Sequence, residues 1–199
     1  MTVNLEFAKS PLGGAKHGGL DKAVLIQEVP FTPGFDLRVD PDSSGFAAVS
    51  QALGLNLNPK VGTVVRNNAA CIVGDELPAA GGISALCLGP DWWYVTGTAD
   101  IQALLKPVQE AHHISLVDVS SQRTKIEVYG PNAKDVLAHY WEQDLRDEHF
   151  PIDACSQGVL AKAPLIMWHC CENCYLLFPR ASFAKHLWTA LTDAAVEYL

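Results

Sequence analysis

The densest group of side chains able to ligate a metal or attack an electrophile is the run His169-Cys170-Cys171-Glu172-Asn173-Cys174. Zinc takes four nitrogen or sulfur ligands, usually as two separated pairs, and this run supplies one Cys-x2-Cys unit with no second pair at finger spacing. On a hairpin, Cys171 and Cys174 take the first and fourth turn positions, and His169 shares a strand face with Cys171. The geometry then reaches three ligands, His169, Cys171 and Cys174, one short of a closed site. Cysteine is also a common buried apolar residue, and that reading is adopted, with no metal ligand assigned. His112-His113 stand at a helix end, where the dipole favours a cation, and no carboxylate or cysteine lies three or four residues on to complete a ligand face.

The stretch Gly13-Gly14-Ala15-Lys16-His17-Gly18-Gly19 has the composition of a phosphate loop but not its order, and reads as flexible backbone. Asp144, Asp147 and Glu148 read as a solvated acidic loop. No G-x-S-x-G elbow and no cysteine-protease signature occurs. The sequence therefore assigns no catalytic and no cofactor-binding residue. The tryptophans say more. Trp92 and Trp93 are adjacent on an expected strand and must point to opposite faces, so one fills the core and the other needs different cover. Trp168 stands in the corresponding region of the second half. Exposed aromatics on a charge-poor surface are typical interface anchors, and Trp92 and Trp168 are the expected interface residues.

Among the 199 residues, 49% are hydrophobic and 18% charged, and the net charge is −8. This composition is globular with few charges, so a partner is expected to cover part of the surface. The negative charge excludes binding driven by phosphate backbones or anionic lipid. No apolar run reaches the roughly 18 residues a bilayer span needs, and the N-terminus lacks the order of a signal peptide. A cytoplasmic protein is expected, with its six cysteines reduced.

These residues are carried by elements whose order repeats. Residues 1–34, rich in Gly and Pro, read as an extended N-terminal arm laid over another surface. Residues 35–199 read as a single α+β domain. Phe35, Leu37 and Val39 alternate with charges as a half-buried strand. Phe46, Val49 and Leu53 then mark a helix with Ser43 or Ser44 as N-cap and Gly54 as its stop. Strand runs at 63–65, 84–88 and 92–95 follow. Ile101, Leu104, Leu105 and Val108 mark a second helix, capped by Thr98 and kinked or shortened by Pro107.

The second half repeats this order. Residues 125–129 alternate, and Pro131 opens a helix striped by Ala133, Val136, Leu137 and Tyr140. Runs at 158–161 and 165–168 are strands, and a hairpin with Glu172-Asn173 as its turn leads to 175–178. Phe183, Leu187, Leu191 and Tyr198 stripe the last helix. Two pseudo-repeats, 35–111 and 124–198, are inferred, each a strand-helix-strand-strand-strand-helix unit with two helices on one sheet face. The best-matched pieces are Asp36-Leu37-Arg38-Val39 with Lys125-Ile126-Glu127-Val128, and Trp93-Tyr94-Val95 with Tyr175-Leu176-Leu177.

Several motifs resemble a known family: Leu88-Gly89-Pro90-Asp91-Trp92-Trp93, Val117-Asp118-Val119-Ser120-Ser121-Gln122-Arg123-Thr124, Gly130-Pro131-Asn132-Ala133, Asp144-Leu145 and Arg180-Ala181-Ser182-Phe183-Ala184-Lys185-His186-Leu187-Trp188. In order and spacing they are similar to the gamma subunit of heterotetrameric sarcosine oxidase, over about residues 82–199. The resemblance implies the duplicated α+β fold of the folate-binding, aminomethyltransferase-like domain of the glycine cleavage T protein. It also implies an assembly with alpha, beta and delta subunits, in which alpha carries NAD and the tetrahydrofolate site, beta carries FAD and FMN, and delta carries zinc. That assembly oxidatively demethylates sarcosine to glycine, yielding hydrogen peroxide and passing a one-carbon unit to tetrahydrofolate. Gamma would be a noncatalytic subunit without cofactor that supports assembly. T-protein relatives place acidic residues in the strand corresponding to residues 164–169, one of them contacting folate, whereas this chain has Pro164-Leu165-Ile166-Met167-Trp168-His169 with no carboxylate. The alternative is a free-standing folate-binding or aminomethyltransferase-like protein, which would need that polar anchor.

Overall fold

A computed structural model describes residues 9–67 and 82–198. Its strands are β1 (Lys16–Gly18), β2 (Leu25–Val29), β3 (Gly34–Arg38), β4 (Val64–Arg66), β5 (Ile83–Gly89), β6 (Trp92–Gly97), β7 (Ser115–Asp118), β8 (Lys125–Tyr129), β9 (Cys155–Leu160), β10 (Ala163–Cys171) and β11 (Cys174–Pro179). The helices are α1 (Ser44–Leu53), α2 (Ile101–Ala111), α3 (Ala133–Ala138) and α4 (Ala184–Ala194). The strands form two antiparallel sheets, ordered β4-β5-β6-β3-β7 and β1-β2-β8-β11-β10-β9.

Period-two alternation sorts each strand into two faces. Phe35 and Leu37 of β3 and Trp93 and Val95 of β6 pack with Val49 and Leu53 of α1 and Ile101 and Leu105 of α2. Ile126 and Val128 of β8 and Tyr175 and Leu177 of β11 pack with Val136 of α3 and Leu187 and Leu191 of α4. The opposite faces meet each other: Leu86, Leu88 and Tyr94 of the first sheet pack against Ile166, Trp168, Leu176 and Phe178 of the second. The layers are thus helices, sheet, sheet, helices, and three apolar cores hold them together by burial.

Register makes the duplication explicit. Arg38 pairs with Trp92 as Tyr129 pairs with Cys174. The β5–β6 and β10–β11 hairpins both close across two-residue turns, at Gly89↔Trp92 and Cys171↔Cys174, each after a register shift one step earlier. Trp92 is therefore equivalent to Cys174, Arg38 to Tyr129 and Asp36 to Glu127. Trp93-Tyr94-Val95 matches Tyr175-Leu176-Leu177 as expected. Asp36 matches Glu127 rather than Lys125, a slip of two residues from the expected alignment.

The structure corrects the boundaries read from sequence. Within the expected arm 1–34, β2 is an interior strand between β1 and β8, with Leu25 and Ile26 buried. β7 lies in the connector between the expected repeats and pairs with β3. Each repeat therefore begins one strand earlier than expected, and the two first strands are exchanged: β2 precedes β3 but joins the second sheet, while β7 precedes β8 but joins the first. Gly and Pro on both sides of β2, and the polar Gln27 and Glu28 within it, mask this strand in the sequence.

The segment read as flexible backbone is likewise anchored. The buried Glu28 carboxylate accepts hydrogen bonds from the Ser10 hydroxyl, Leu12 N (3.3 Å), Gly14 N (2.8 Å) and the Thr124 hydroxyl (2.7 Å). At α2 the cap is Asp100, which accepts from Ala103 N at 2.9 Å, rather than Thr98. The helix runs through Pro107 to Ala111, held by the Ile101, Leu105 and Val108 stripe. α3 begins two residues beyond Pro131, at Ala133.

Candidate functional site

The histidine and cysteine run divides between two faces. On the helix side, the buried His169 bonds through Nδ1 to Phe150 O at 2.9 Å, and its ring stacks on Tyr175 at 4.6 Å between centroids. Cys170 faces the seam in alternation with Ile166 and Trp168, and the register shift between His169 and Cys171 brings Cys171 to that face as well. There the sulfurs of Cys170, Cys171 and Cys174 lie within 4.8 Å of one another. The set His169, Cys171 and Cys174, which a plain hairpin would have allowed, is thus not brought together. Cys171 is disulfide-bonded, which corrects the expectation of uniformly reduced cysteines and leaves it no thiolate with which to bind a metal. Cys71 lies outside the described residues. The hydrogen bond with the Cys170 sulfur, and then burial, raises the Cys174 thiol, and burial pushes Cys155 up to about 12, so both are held in the neutral thiol form.

The tryptophans also separate. Trp93 is fully buried under α1, its Nε1 donating to Asn58 O at 3.2 Å. Trp168, 5% exposed, fills the space between the sheets and donates to Asp153 Oδ1 at 3.3 Å. It is covered by its own chain, which corrects its expected place at an interface with a partner. Trp92 is half-buried at the rim of the same layer. Its Nε1 donates to Asp36 at 3.2 Å, and the Arg38 guanidinium, paired with Asp91 at 2.8 Å, lies 4.7 Å from its ring centroid. Beside this corner is a cleft of about 600 Å³ lined by Arg38, Pro41, Pro90, Asp91, His113 and Ile114, among others.

A polar group between the sheets was not singled out from sequence. On β8, Ile126 and Val128 face the helices, so Lys125 and Glu127 must face the other sheet. Both are sealed in: Lys125 is 6% exposed and Glu127 0%. Gln27 on β2 donates to Glu127 Oε2, and the Cys174 thiol donates to Glu127 Oε1 at 3.5 Å. Desolvation dominates both charges. It lowers Lys125 to about 8 against the opposing attraction of Glu127, and raises Glu127 against the hydrogen bonds of Gln27 and Cys174. Above this group the buried Tyr94 hydroxyl is raised by desolvation, opposed by Arg123, whose guanidinium bonds to Phe178 O at 2.8 Å. The alternation of residues 125–129 carried the signal for a shared polar face; burial of that face depends on the second sheet. The arrangement can hold two sheets in register, and its thiols and lysine are enclosed. In β10, Ile166 and Trp168 occupy the space between the sheets.

The other expected placements are simple. Asp144 pairs with Arg146 at 2.5 Å and Asp147 with Lys134 at 2.6 Å, all at the surface. His112 ends α2, with Nδ1 3.3 Å from the Ser44 hydroxyl. Among the described residues no helix is long and apolar enough to cross a membrane.

The model of the sarcosine oxidase, gamma subunit family matches residues 38–197. The chain is 32% identical over 181 residues to sarcosine oxidase subunit gamma of Corynebacterium sp. strain U-96, covering 89% of this chain and 82% of the relative. It is 28% identical over 184 residues to the corresponding subunit from an Arthrobacter species, covering 92% of this chain and 85% of the relative. Among solved structures, a chain of the heterotetrameric sarcosine oxidase of Corynebacterium sp. U-96, solved with pyrrole 2-carboxylate, superposes with a TM-score of 0.79 at 31% identity, covering 95% of each chain. Aminomethyltransferase T of Bartonella henselae superposes with a TM-score of 0.54 at 13% identity over 82% of this chain and 44% of its own, a likeness of fold.

Proposed function

The chain belongs to the sarcosine oxidase gamma subunit family, and from that premise we propose that it works as the gamma subunit of a heterotetrameric sarcosine oxidase, as a noncatalytic part that supports assembly. The observation that carries this reading is the full-length agreement with a chain of such an oxidase, 95% of each at a TM-score of 0.79. Its partners are then alpha, beta and delta subunits in the cytoplasm. NAD and tetrahydrofolate belong to alpha, FAD and FMN to beta, and zinc to delta. The assembly converts sarcosine, oxygen and tetrahydrofolate into glycine, hydrogen peroxide and a one-carbon tetrahydrofolate. This chain's own residues contribute by burying surface and holding the two sheets rigid. A free-standing folate-dependent enzyme lacks comparable support, because the likeness to aminomethyltransferase T is one of fold and spans 44% of that chain.

Trp92 is the proposed anchor toward a partner, since it is the seam-facing tryptophan left half-exposed. Native purification tests the reading. Copurification with a large, a medium and a very small chain plus flavin absorbance supports it, whereas a colourless chain that stays folded alone refutes it. In the same preparation Trp92→Ala should weaken retention in the assembly and leave the fold intact. Trp168→Ala should instead destabilise the fold by about 3 to 5 kcal/mol. The opposite pattern would remove Trp92 from the interface.

A further inference from the structure

We propose that the open edge of β7 receives an extended segment of another subunit, adding a sixth strand to the first sheet. The inference rests on the assembly reading above and names the surface through which one partner engages.

The argument comes from the other sheet. Ser115 pairs with Arg38 as Leu25 pairs with Tyr129, so β7 is the counterpart of β2: Leu116 matches Ile26, Val117 matches Gln27 and Asp118 matches Glu28. In the second sheet the outer side of β2 is occupied by β1, with His17 opposite Ile26 and Glu28 N donating to Ala15 O at 2.9 Å. Beyond β7, among the described residues, no strand follows.

The backbone polarity of that edge can be worked out. Val119 N donates to Gly34 O at 2.9 Å. Hydrogen-bonded and non-bonded pairs alternate along an antiparallel ladder. Val117 therefore turns its N–H and C=O toward Asp36, while Leu116 and Asp118 turn theirs outward. These are the groups whose counterparts, at Ile26 and Glu28, meet β1.

The edge is also lightly guarded, by a single acidic residue, Asp118. Sheet edges are normally blunted by lysine, proline, a bulge or extreme shortness. β1 is three residues long and carries Lys16, β4 is three residues long, and β9 is bridged at Leu160 by Trp141. β7 is Ser115-Leu116-Val117-Asp118, four residues without proline, lysine or register shift. Val117 is 52% exposed. It lies on the sheet face that carries Asp36 and Trp92, so an added strand would extend the half-buried Trp92 corner.

Charge selects the occupant. The exposed Asp118 carboxylate accepts from Ser120 N at 2.9 Å, whereas its counterpart Glu28 is met by four donors. A second copy would bring a further net charge of −8 and its own Asp118 to this edge. A partner strand offering basic side chains opposite Asp118 fits, by strand addition.

The test uses the assembled complex. Hydrogen exchange should find the amides of Leu116 and Asp118 protected about a hundredfold or more over an unstructured chain, together with Val117. A photoreactive benzoylphenylalanine in place of Val117 should crosslink to another subunit. Asp118→Pro removes an N–H directed away from the sheet, so it should lower retention in the complex about tenfold with the fold kept. Val117→Lys, which alters no backbone group, should do the same. Fast exchange of both amides in an intact complex, or crosslinks to residues 1–8 of the same chain or to a second copy, overturns the proposal. If no other subunit copurifies at all, the assembly reading falls first and this inference with it.

Discussion

Replacing Lys125 by Met should remove a pH dependence that the wild-type fold carries. Lys125 is buried between the sheets beside Glu127, and desolvation outweighs the attraction of that carboxylate, lowering it from 10.5 to about 8. That difference corresponds to roughly 3 kcal/mol of disfavour for the ammonium in the folded state. Below pH 8 the lysine is charged in both folded and unfolded chains, and the full penalty applies. Between about pH 8 and 10.5 the unfolded chain holds the proton that the folded chain has released, so stability rises with pH. Above that window the penalty has gone. Chemical denaturation of wild type and Lys125→Met from about pH 7 to 11, taken as a difference, cancels the other lysines and the tyrosines. The wild type should gain up to about 3 kcal/mol on the variant across the window. A flat difference would mean that Lys125 reaches water in the folded chain, and the sealed seam would be wrong.

Two further outcomes follow from the packing. Glu28→Ala should cost about 2 to 3 kcal/mol, since it strands four donors, and should open residues 10–24 to protease while the sheets persist; unchanged cleavage would show that the segment is held otherwise. Gly130→Ala should destabilise by about 2 kcal/mol or more, because Gly130 has φ 124° and an added Cβ would sit 2.5 Å from Ala23 O. A thermal midpoint equal to wild type would refute the close approach of β2 there.

The parts of this fold that the sequence revealed were those with a local cause. The stripe Phe46, Val49, Leu53 ending at Gly54 gave α1, whose cap has φ 63°. The hairpin at Glu172-Asn173 was legible because Asn tolerates the left-handed φ of 60° that the turn requires. The alignment of Asp36 with Lys125 slipped by two residues because alternation of period two is unchanged by that shift, and only the pairing with β6 and β11 fixes it. The exchange of β2 and β7 left no local mark, since which sheet a strand joins is decided by residues about eighty to a hundred positions away. The same reason hid Lys125 and Glu127. Their shared face was readable, and its burial was a property of the opposing sheet.

The two repeats differ most on that shared face. Toward the helices both must stay apolar, and Phe35, Leu37, Trp93 and Val95 correspond to Ile126, Val128, Tyr175 and Leu177. Toward the seam the apolar contacts of the third core are made by other strands and positions, and the rows beside it have diverged. In the second repeat, Gln27, Glu127 and Cys174 are buried and bonded to one another. In the first, their counterparts Val117, Asp36 and Trp92 are exposed or half-buried. A closed row contributes cohesion to the chain itself, whereas an open row with an apolar residue at 117, an indole at 92 and outward backbone groups at 116 and 118 has surface left to offer. The duplication has divided its labour: the second repeat locks the molecule together through its seam, and the first keeps the equivalent row open, as the proposed strand addition requires.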